Sequence, residues 1–271
     1  MDAALSKNGR RTLRGFFGLV VVFLYAPIVV LLVFSFNSSA LPAFPLGGFT
    51  LHWYGEFLHN GDLRGALETS AIVAAVSSLC AVLLGLLASL ALARRSFRGK
   101  GAASALLLSP LVIPVVVLGI SLLLLFHALG IPRSLLTVVI GHVVISLPYT
   151  ILVLVPRLQQ VESALEEAAY DFGAGPFATF RTVTLPLVLP AVVSAFLIAF
   201  TTSFDEYLMA AFLSGNDATL PVYIFSQLRF PNRLTGTLAL GSCILVISFA
   251  IVTFAEWMRR RGVNPDSGMG I

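Results

Sequence analysis

Charge is what this chain has least of. Only 11% of its 271 residues are charged, against about 25% in an average soluble domain. Hydrophobic residues make up 58%, and the mean hydropathy is +0.95. This balance excludes an ordinary soluble domain and predicts an integral membrane protein in contact with the lipid bilayer. The net charge of +4 then fits the positively charged loops of a membrane protein, so we expect no nucleic-acid partner.

The residues that build cofactor and catalytic sites are also scarce. The two cysteines, Cys80 and Cys243, both lie in apolar runs, which excludes a disulfide framework. The four histidines are scattered, with no pair at metal-ligand spacing, and we interpret them as ordinary hydrogen-bonded or loop residues. No G-x-x-x-x-G-K-[ST] stretch occurs, so the chain does not bind ATP through a P-loop. No nucleophile–base pair stands out. The sequence therefore predicts a protein that is not an enzyme and that holds no cofactor or metal itself.

Long apolar runs are what the chain does contain. A transmembrane helix needs about 20 such residues to cross a hydrocarbon core of about 30 Å. The first run is too long for a signal peptide, and no small-residue cleavage site follows it, so we expect it to be retained. The sequence predicts an all-α polytopic membrane protein with six transmembrane helices, at residues 15–36, 69–93, 104–126, 135–155, 187–213 and 236–257.

The distribution of lysine and arginine predicts the orientation of these helices. Thirteen of the 17 basic residues fall on one side of the predicted membrane and four on the other. Because basic residues concentrate in cytoplasmic loops, both termini and the loop at 157–186 are expected in the cytoplasm. The segments 37–68 and 214–235 are then external. The predicted organisation is a cytoplasmic segment at 1–14, a six-helix domain at 15–257 and a cytoplasmic tail at 258–271.

Two patterns within the helices concern packing. Small residues recur every four positions in the second helix, which predicts a smooth ridge where another backbone approaches closely. A pore lining is the alternative. Prolines are expected to interrupt the third and fourth helices, because proline removes a backbone hydrogen bond. The ridge consists of Ser77, Ala81, Gly85, Ser89 and Ala93, and the prolines are Pro110, Pro114 and Pro148.

The loop at 157–186 is polar and patterned. Apolar residues recur there at helical spacing, while acidic residues fall mostly on other faces. Gly173 is expected to end this helix in a left-handed conformation, Pro176 to open a second short helix, and Pro186 to enter the next membrane helix. The sequence predicts a helix–turn–helix that forms a compact cytoplasmic knob. A helix lying on lipid is the alternative, but its polar face would be basic rather than acidic.

This loop resembles the EAA motif of ABC importer permeases. The match consists of Glu167-Ala168-Ala169, then Gly173 after three intervening residues, and Val183-Thr184-Leu185-Pro186. In that family the motif forms the coupling helix, which docks onto the ATP-binding subunit. The resemblance therefore implies docking by Glu166, Glu167, Ala168, Ala169, Asp171, Gly173, Ala174 and Phe177.

Further segments resemble the spermidine/putrescine permease group of that family. They include Tyr25-Ala26-Pro27, Trp53-Tyr54, Ser109-Pro110-Leu111-Val112-Ile113-Pro114 and Leu220-Pro221-Val222-Tyr223. The resemblance implies a type I ABC importer permease fold in the bacterial cytoplasmic (inner) membrane. It also implies three partners: a dimer of ATP-binding subunits that binds ATP and Mg, a second permease subunit that makes a heterodimer, and an extracytoplasmic substrate-binding protein.

Asp205 and Glu206 interrupt the fifth apolar run. A charge at a helix centre costs about 2.5–3.5 kcal/mol on insertion scales, so such residues usually face a cavity or the bundle interior. Two acids on a water-filled path would attract a polycation, and we assign Ser203 and Tyr149 to the same path. The alternative is that the helix ends near Phe204 and the acids meet external water.

The substrate itself stays open at this level. Polyamine permeases of the resembled group often carry a further acid in the third helix, where this chain has the apolar residues Leu111 and Val115. The leading hypothesis is a permease subunit that forms half of the translocation path for a polyamine or related amine. An importer of another small solute, such as an amino-acid derivative, is the first alternative, and an ATP-independent secondary transporter is the second.

Overall fold

The computed structural model describes residues 7–262, although the side chains at 7–8, 57–58 and most positions beyond 246 are outside the description. Residues 263–271 of the predicted tail, and the side chains of Arg259, Arg260 and Arg261, therefore lie outside the described part. Within residues 7–262 the chain forms twelve α-helices and no β-strand. They are α1 (Lys7–Ser35), α2 (His52–His59), α3 (Gly61–Arg94), α4 (Lys100–Leu108), α5 (Val115–Ala128), α6 (Leu135–Gln160), α7 (Ser163–Asp171), α8 (Pro176–Thr179), α9 (Leu185–Phe204), α10 (Leu208–Leu213), α11 (Leu220–Gln227) and α12 (Leu234–Gly262).

Several helices have the length and apolarity that a membrane requires. Among the described residues, four stretches qualify singly: Gly9–Ser35, Gly61–Arg94, Leu135–Gln160 and Pro176–Phe204. Lys100–Leu111 and Val115–Ala128 qualify together but meet at an angle of 103°. The predicted span at 236–257 falls within α12, which is 29 residues long. The all-helical architecture is thus confirmed, whereas the number of spans stays a prediction.

The third predicted span, 104–126, is not one straight helix. Pro110 lies in a 3₁₀ turn, Ser109–Leu111, and Pro114 forms the N-cap of α5 with an extended ψ of 132°. Neither proline can donate a backbone hydrogen bond, so the ladder stops between them and the chain turns sharply. The expected interruption at Pro148 is wrong. α6 continues through Pro148, which is buried, because packing along α3 and α9 outweighs the loss of one backbone bond.

The fifth predicted span, 187–213, is also wrong in its extent. α9 ends at Phe204, where the Asp205 N–H is donated to the Thr201 carbonyl at 3.1 Å, and α10 starts only at Leu208. A carboxylate of the break stabilises the new helix start, since Glu206 Oε1 accepts the Met209 N–H at 3.1 Å. Orphan N–H groups at a helix start need such an acceptor. The 20 residues of α9 rise about 30 Å, which is enough for one crossing without α10.

The chain divides into two compact units, residues 1–60 with 224–271, and residues 61–223. In the first, α12 packs against α1 and α2, and the 37–51 segment is fixed by buried Asn37, whose carbonyl accepts the Trp53 Nε1–H at 2.8 Å. In the second, α3, α6 and α9 pack along one another, and α10 lies against α5 and α6. The apolar core of this second unit is built around Val73, Val138, Leu154, Met209 and Leu213.

The small-residue ridge of α3 lies inside the second unit. Ser77, Ala81 and Ser89 have no exposed surface, and Gly85 is buried against α6. The Thr150 hydroxyl of α6 donates to the Ala81 carbonyl at 3.2 Å. A Cβ added at Gly85 would meet Thr150 Cβ at 2.9 Å, too close for two carbon atoms. The ridge therefore serves helix packing within the chain.

Gly85→Ala tests this close approach. We expect a loss of about 1–3 kcal/mol of stability, because the new methyl group overpacks the contact with Thr150. Thermal unfolding of the purified protein in detergent measures the change. Gly65→Ala is the matched control on the same helix, since nothing lies within 4 Å of its new Cβ. Equal melting temperatures for the two variants would contradict the packing account.

Candidate functional site

The patterned loop folds into the expected helix–turn–helix. α7 ends at Asp171, and Gly173 takes a φ of +83°, a conformation that favours glycine. Its N–H is donated to the Tyr170 carbonyl at 2.8 Å, and the Ala174 N–H to the Ala169 carbonyl at 3.0 Å. This bond pair is the Schellman motif, which satisfies the last carbonyls of a helix. Pro176 then opens α8 at its first position.

A wide π turn at Phe180–Thr184 overlaps the end of the pattern, Val183-Thr184-Leu185-Pro186. Pro186 has no N–H to donate to the carbonyl four residues back. The backbone hydrogen bonds here therefore span five residues instead of four, and the Leu185 N–H is donated to the Phe180 carbonyl. The sequence predicts the helix entry at Pro186 correctly but not this turn. The turn buries Thr184, whose side chain is 3% exposed.

The tip of the loop carries large apolar side chains without a cover. Phe172 is 93% exposed and Phe177 is 76% exposed. Leu165 and Ala168 are exposed as well, so the apolar face of α7 points away from the chain. Exposed aromatic patches of this kind mark interaction surfaces. Phe177 is among the predicted docking residues and Phe172 is not, although Phe172 is the more exposed of the two.

The other predicted docking residues fall into two groups. Glu167, Asp171 and Gly173 are exposed, Ala169 and Ala174 are half-buried, and all lie on or near the open surface. Glu166 faces the other way. Its Oε1 accepts hydrogen bonds from Arg94 Nη2 at 3.0 Å and from the Thr184 hydroxyl at 2.7 Å. The structure therefore separates Glu166 from the other predicted docking residues.

The predicted substrate-path residues do not form one cluster. Asp205 is exposed, and its carboxylate contacts no hydrogen-bond or ionic partner among the described residues. Glu206 is half-buried and already accepts the Met209 N–H. Tyr149 is exposed on α6. It lies seven residues, or about 10 Å along the helix axis, beyond His142, the α6 residue that contacts Ser203. Ser203 is buried, and its hydroxyl points into the core.

Ser203 belongs to a polar node that joins the three central helices. Its hydroxyl contacts His142 Nδ1 on α6 at 2.7 Å and the Ser77 hydroxyl on α3 at 2.8 Å. All three side chains are at most 3% exposed. His142 is thus a hydrogen-bonded core residue, as the scattered positions of the four histidines in the sequence predicted. Within the described part of the chain, no group of three or more His, Cys, Asp and Glu residues could hold a metal ion.

Comparison with known proteins identifies the family. The model of the family "binding-protein-dependent transport system inner membrane component" matches residues 81–262, about two thirds of the chain and including the whole patterned loop. The chain belongs to this family. It is therefore a transport permease and a multi-pass membrane protein.

Two groups of relatives share most of the permease's length. The chain is 39% identical to the putrescine transport system permease protein PotI of Escherichia coli strain K12, over 89% of this chain and 91% of that protein. It is 33% identical to the spermidine/putrescine transport system permease protein PotC of the same strain, over 96% and 98%. A PotC protein of Haemophilus influenzae is 35% identical over 91% and 95%.

Solved structures share the fold of this permease at lower identity. A bacterial ABC transporter involved in the import of the acidic polysaccharide alginate superposes with a TM-score of 0.74 at 18% identity, over 92% of this chain and 98% of that chain. The alginate transporter in complex with its alginate pentasaccharide-bound periplasmic protein superposes with a TM-score of 0.69 at 17% identity, over 97% and 96%. The chain thus has the fold of an ABC importer permease.

Gly173→Ala tests the left-handed end of α7 in this permease. We expect it to destabilise the loop by about 1–2 kcal/mol, because a side chain is strained at a φ of +83°. Hydrogen exchange over residues 163–180 measures this local stability. Gly175→Ala is the control, since Gly175 has a φ of −74° and open space around it. Unchanged protection in Gly173→Ala would show that the cap does not hold the loop.

Proposed function

We propose that this permease subunit moves polyamines, such as putrescine or spermidine, in an importer driven by a separate ATPase. The observation that carries the proposal is the uncovered aromatic tip, Phe172 and Phe177, on a loop that its own chain holds in place. A chain that lacks a P-loop needs such a surface to meet a protein that binds ATP. The names of the relatives PotI and PotC support the substrate class.

In this proposal the loop at 157–186 is the coupling loop that meets the ATP-binding subunits. Two exposed phenylalanines offer a large apolar contact to a groove, and Glu167 and Asp171 beside them offer charges to basic groups on its rim. ATP and Mg are bound by the ATPase dimer, and this chain contributes no cofactor ligand. Closure of the ATPase dimer moves the coupling loop, and the membrane helices switch from inward-facing to outward-facing.

The proposed topology follows from the basic residues. Six crossings place both termini and the coupling loop in the cytoplasm of a bacterial cell, within the inner membrane. The external segments 37–68 and 214–235 then receive the extracytoplasmic binding protein. A second, different permease chain completes the path, since one six-helix chain forms half of it. Exposed apolar side chains along α1, such as Phe16, Phe17 and Phe23, suit contact with lipid or with this partner.

Asp205 is the proposed contact for the cationic substrate. It follows the last residue of α9, at the end of the helix opposite the coupling loop. Its exposed carboxylate would attract an ammonium group by about 4 kcal/mol at 4 Å in a medium of intermediate dielectric constant. Glu206 serves first as the acceptor at the start of α10. The substrate would therefore meet Asp205 in the outer half of the path.

A different small solute, such as an amino-acid derivative, is the second candidate. The observation that favours it is the apolar character of two positions where the resembled polyamine group often has an acid. Leu111 is exposed there, and Val115 packs against the core. One acidic contact fewer reduces the selectivity for a polycation.

Phe172→Ser tests the docking surface. We expect the ATPase subunit to be lost on affinity purification from membranes, because the variant removes the most exposed aromatic side chain of the tip. Glu167→Lys is expected to act in the same direction. Phe97→Ser is the control, because Phe97 is an exposed phenylalanine in the segment between α3 and α4. Full recovery of the ATPase with Phe172→Ser would contradict the docking role.

Asp205→Asn tests the substrate contact. Uptake of labelled putrescine at low concentration is expected to fall at least about tenfold, which corresponds to about 1.4 kcal/mol of lost attraction. Recovery of the ATPase subunit is expected to stay unchanged. Asp205→Glu is the matched control, since it keeps a carboxylate at the same position and is expected to retain uptake. Normal uptake by Asp205→Asn would remove this residue from the path.

A further inference from the structure

Glu166 has contacts that a docking residue does not need. We propose that the Arg94–Glu166–Thr184 clamp, formed by these three side chains, fixes α7 to the ends of α3 and α9, so that Glu166 is a positioning residue rather than a docking residue. Through the clamp, a displacement of the coupling loop becomes a displacement of two membrane helices. This inference rests on the proposed function, because it specifies how the coupling loop acts on the path.

The geometry of the clamp joins three separate elements. Glu166 Oε1 on α7 accepts bonds from Arg94 Nη2, at the last residue of α3, and from the hydroxyl of Thr184, one residue before α9. Arg94 Nη2 also donates to the Val161 carbonyl at 3.1 Å, just before α7. The side chains of Arg94 and Glu166 are 22% and 18% exposed, so water screens the pair only in part.

Apart from the clamp, α7 itself makes few contacts with α3, because its packing is chiefly with the π turn and α8. An open cleft of about 620 Å³ lies between α7 and α3, lined by Leu90 and Arg95 on one side and by Ser163 and Tyr170 on the other. Force applied to α7 therefore reaches α3 by two routes: directly through the clamp, and through Val161, which precedes α7 and packs with Leu90 and Ala93.

The π turn is the feature that aims Thr184 at Glu166. Pro186 forces the backbone bond of Leu185 back to Phe180, and the widened turn buries Thr184 beneath α7. In this interpretation the proline positions the third member of the clamp as well as starting α9. The neighbouring Glu167 makes no such contact and is exposed, so two adjacent glutamates have different tasks.

The clamp also connects to the polar node of Ser77, His142 and Ser203, which lies near the C-terminal end of α9. Ser77 of α3 and Ser203 of α9 share a hydrogen bond of 2.8 Å, and Ser203 contacts His142 of α6. α3 and α9 are thus joined at both levels. If the ends of α3 and α9 beside the clamp move together, the node stays intact. If only one of these two helices moves, the hydrogen bond between Ser77 and Ser203 breaks. The clamp imposes the paired movement.

The test uses the complete importer in proteoliposomes, with ATP hydrolysis and putrescine uptake measured together. We expect Glu166→Gln and Arg94→Gln to retain the ATPase subunit and to hydrolyse ATP within about twofold of the wild-type rate. Putrescine imported per ATP is expected to fall at least about tenfold. Arg98→Gln is the matched control for Arg94→Gln, because Arg98 is an exposed arginine that lies outside the coupling loop. We expect it to match the wild type.

One further variant keeps the test decisive if Glu166→Gln folds poorly, and a double variant tests whether the clamp acts as one unit. Thr184→Val removes only the hydroxyl bond and is expected to lower uptake per ATP in the same direction. The double variant Arg94→Gln with Glu166→Gln is expected to lose less than the sum of the two single losses, since the Arg94–Glu166 interaction is removed in both single variants. Additive losses would overturn the clamp as one unit.

Three results separate this inference from the proposed function. Wild-type uptake per ATP in Glu166→Gln overturns the clamp while the importer stands. Loss of the ATPase subunit in Glu166→Gln also overturns it, because Glu166 would then be a docking residue. Failure of the wild-type chain to retain any ATPase overturns the proposed function itself.

Discussion

Within the hydrocarbon core of a membrane little water reaches a polar group, so a buried hydroxyl that finds a partner inside the protein stabilises the packing of its helix. The hydroxyl of Ser203 has two such partners, His142 and Ser77, on two other helices, whereas His142 Nε2 has none among the described residues. The Thr150 hydroxyl lies 2.7 Å from the Leu147 carbonyl of its own helix and 3.2 Å from the Ala81 carbonyl of α3, so its one proton is shared between the two helices. These bonds need helices that lie very close together, which the small residues of α3 permit. The central three-helix packing, and the position of both functional ends relative to it, depend on this constraint.

The two ends of α9 face different conditions and have different chemistry. At its first residues a proline, a π turn and a buried threonine direct the chain toward Glu166, and the apolar tip of the loop stays uncovered. At the other end α9 stops at Phe204, Glu206 accepts a hydrogen bond at the start of α10, and Asp205 stays exposed. One helix of about 30 Å thus lies between the exposed apolar tip of the loop and a carboxylate. The proposed transport cycle uses this connection.

Sequence patterns predicted what depends on neighbouring residues. The end of α7 at Gly173, the start of α8 at Pro176 and the turn at Pro110 and Pro114 follow from local backbone chemistry. Predictions failed where packing of distant segments decides. α6 continues through Pro148 because α3 and α9 support it, and the inward orientation of Glu166 depends on Arg94, 72 residues earlier in the chain. The role of Ser203 was missed for the same reason: its partners lie on two other helices.

Transport by purified components shows whether this permease depends on a separate ATPase. We expect the permease to move a cation only when such an ATPase is docked on its coupling loop. Proteoliposomes containing the permease chains alone, and others containing the complete importer with its binding protein, would be compared for uptake of labelled putrescine. The account predicts uptake only in the complete importer and only with ATP inside the cytoplasmic compartment. Uptake by the permease chains alone, driven by an ion gradient without ATP, would contradict it.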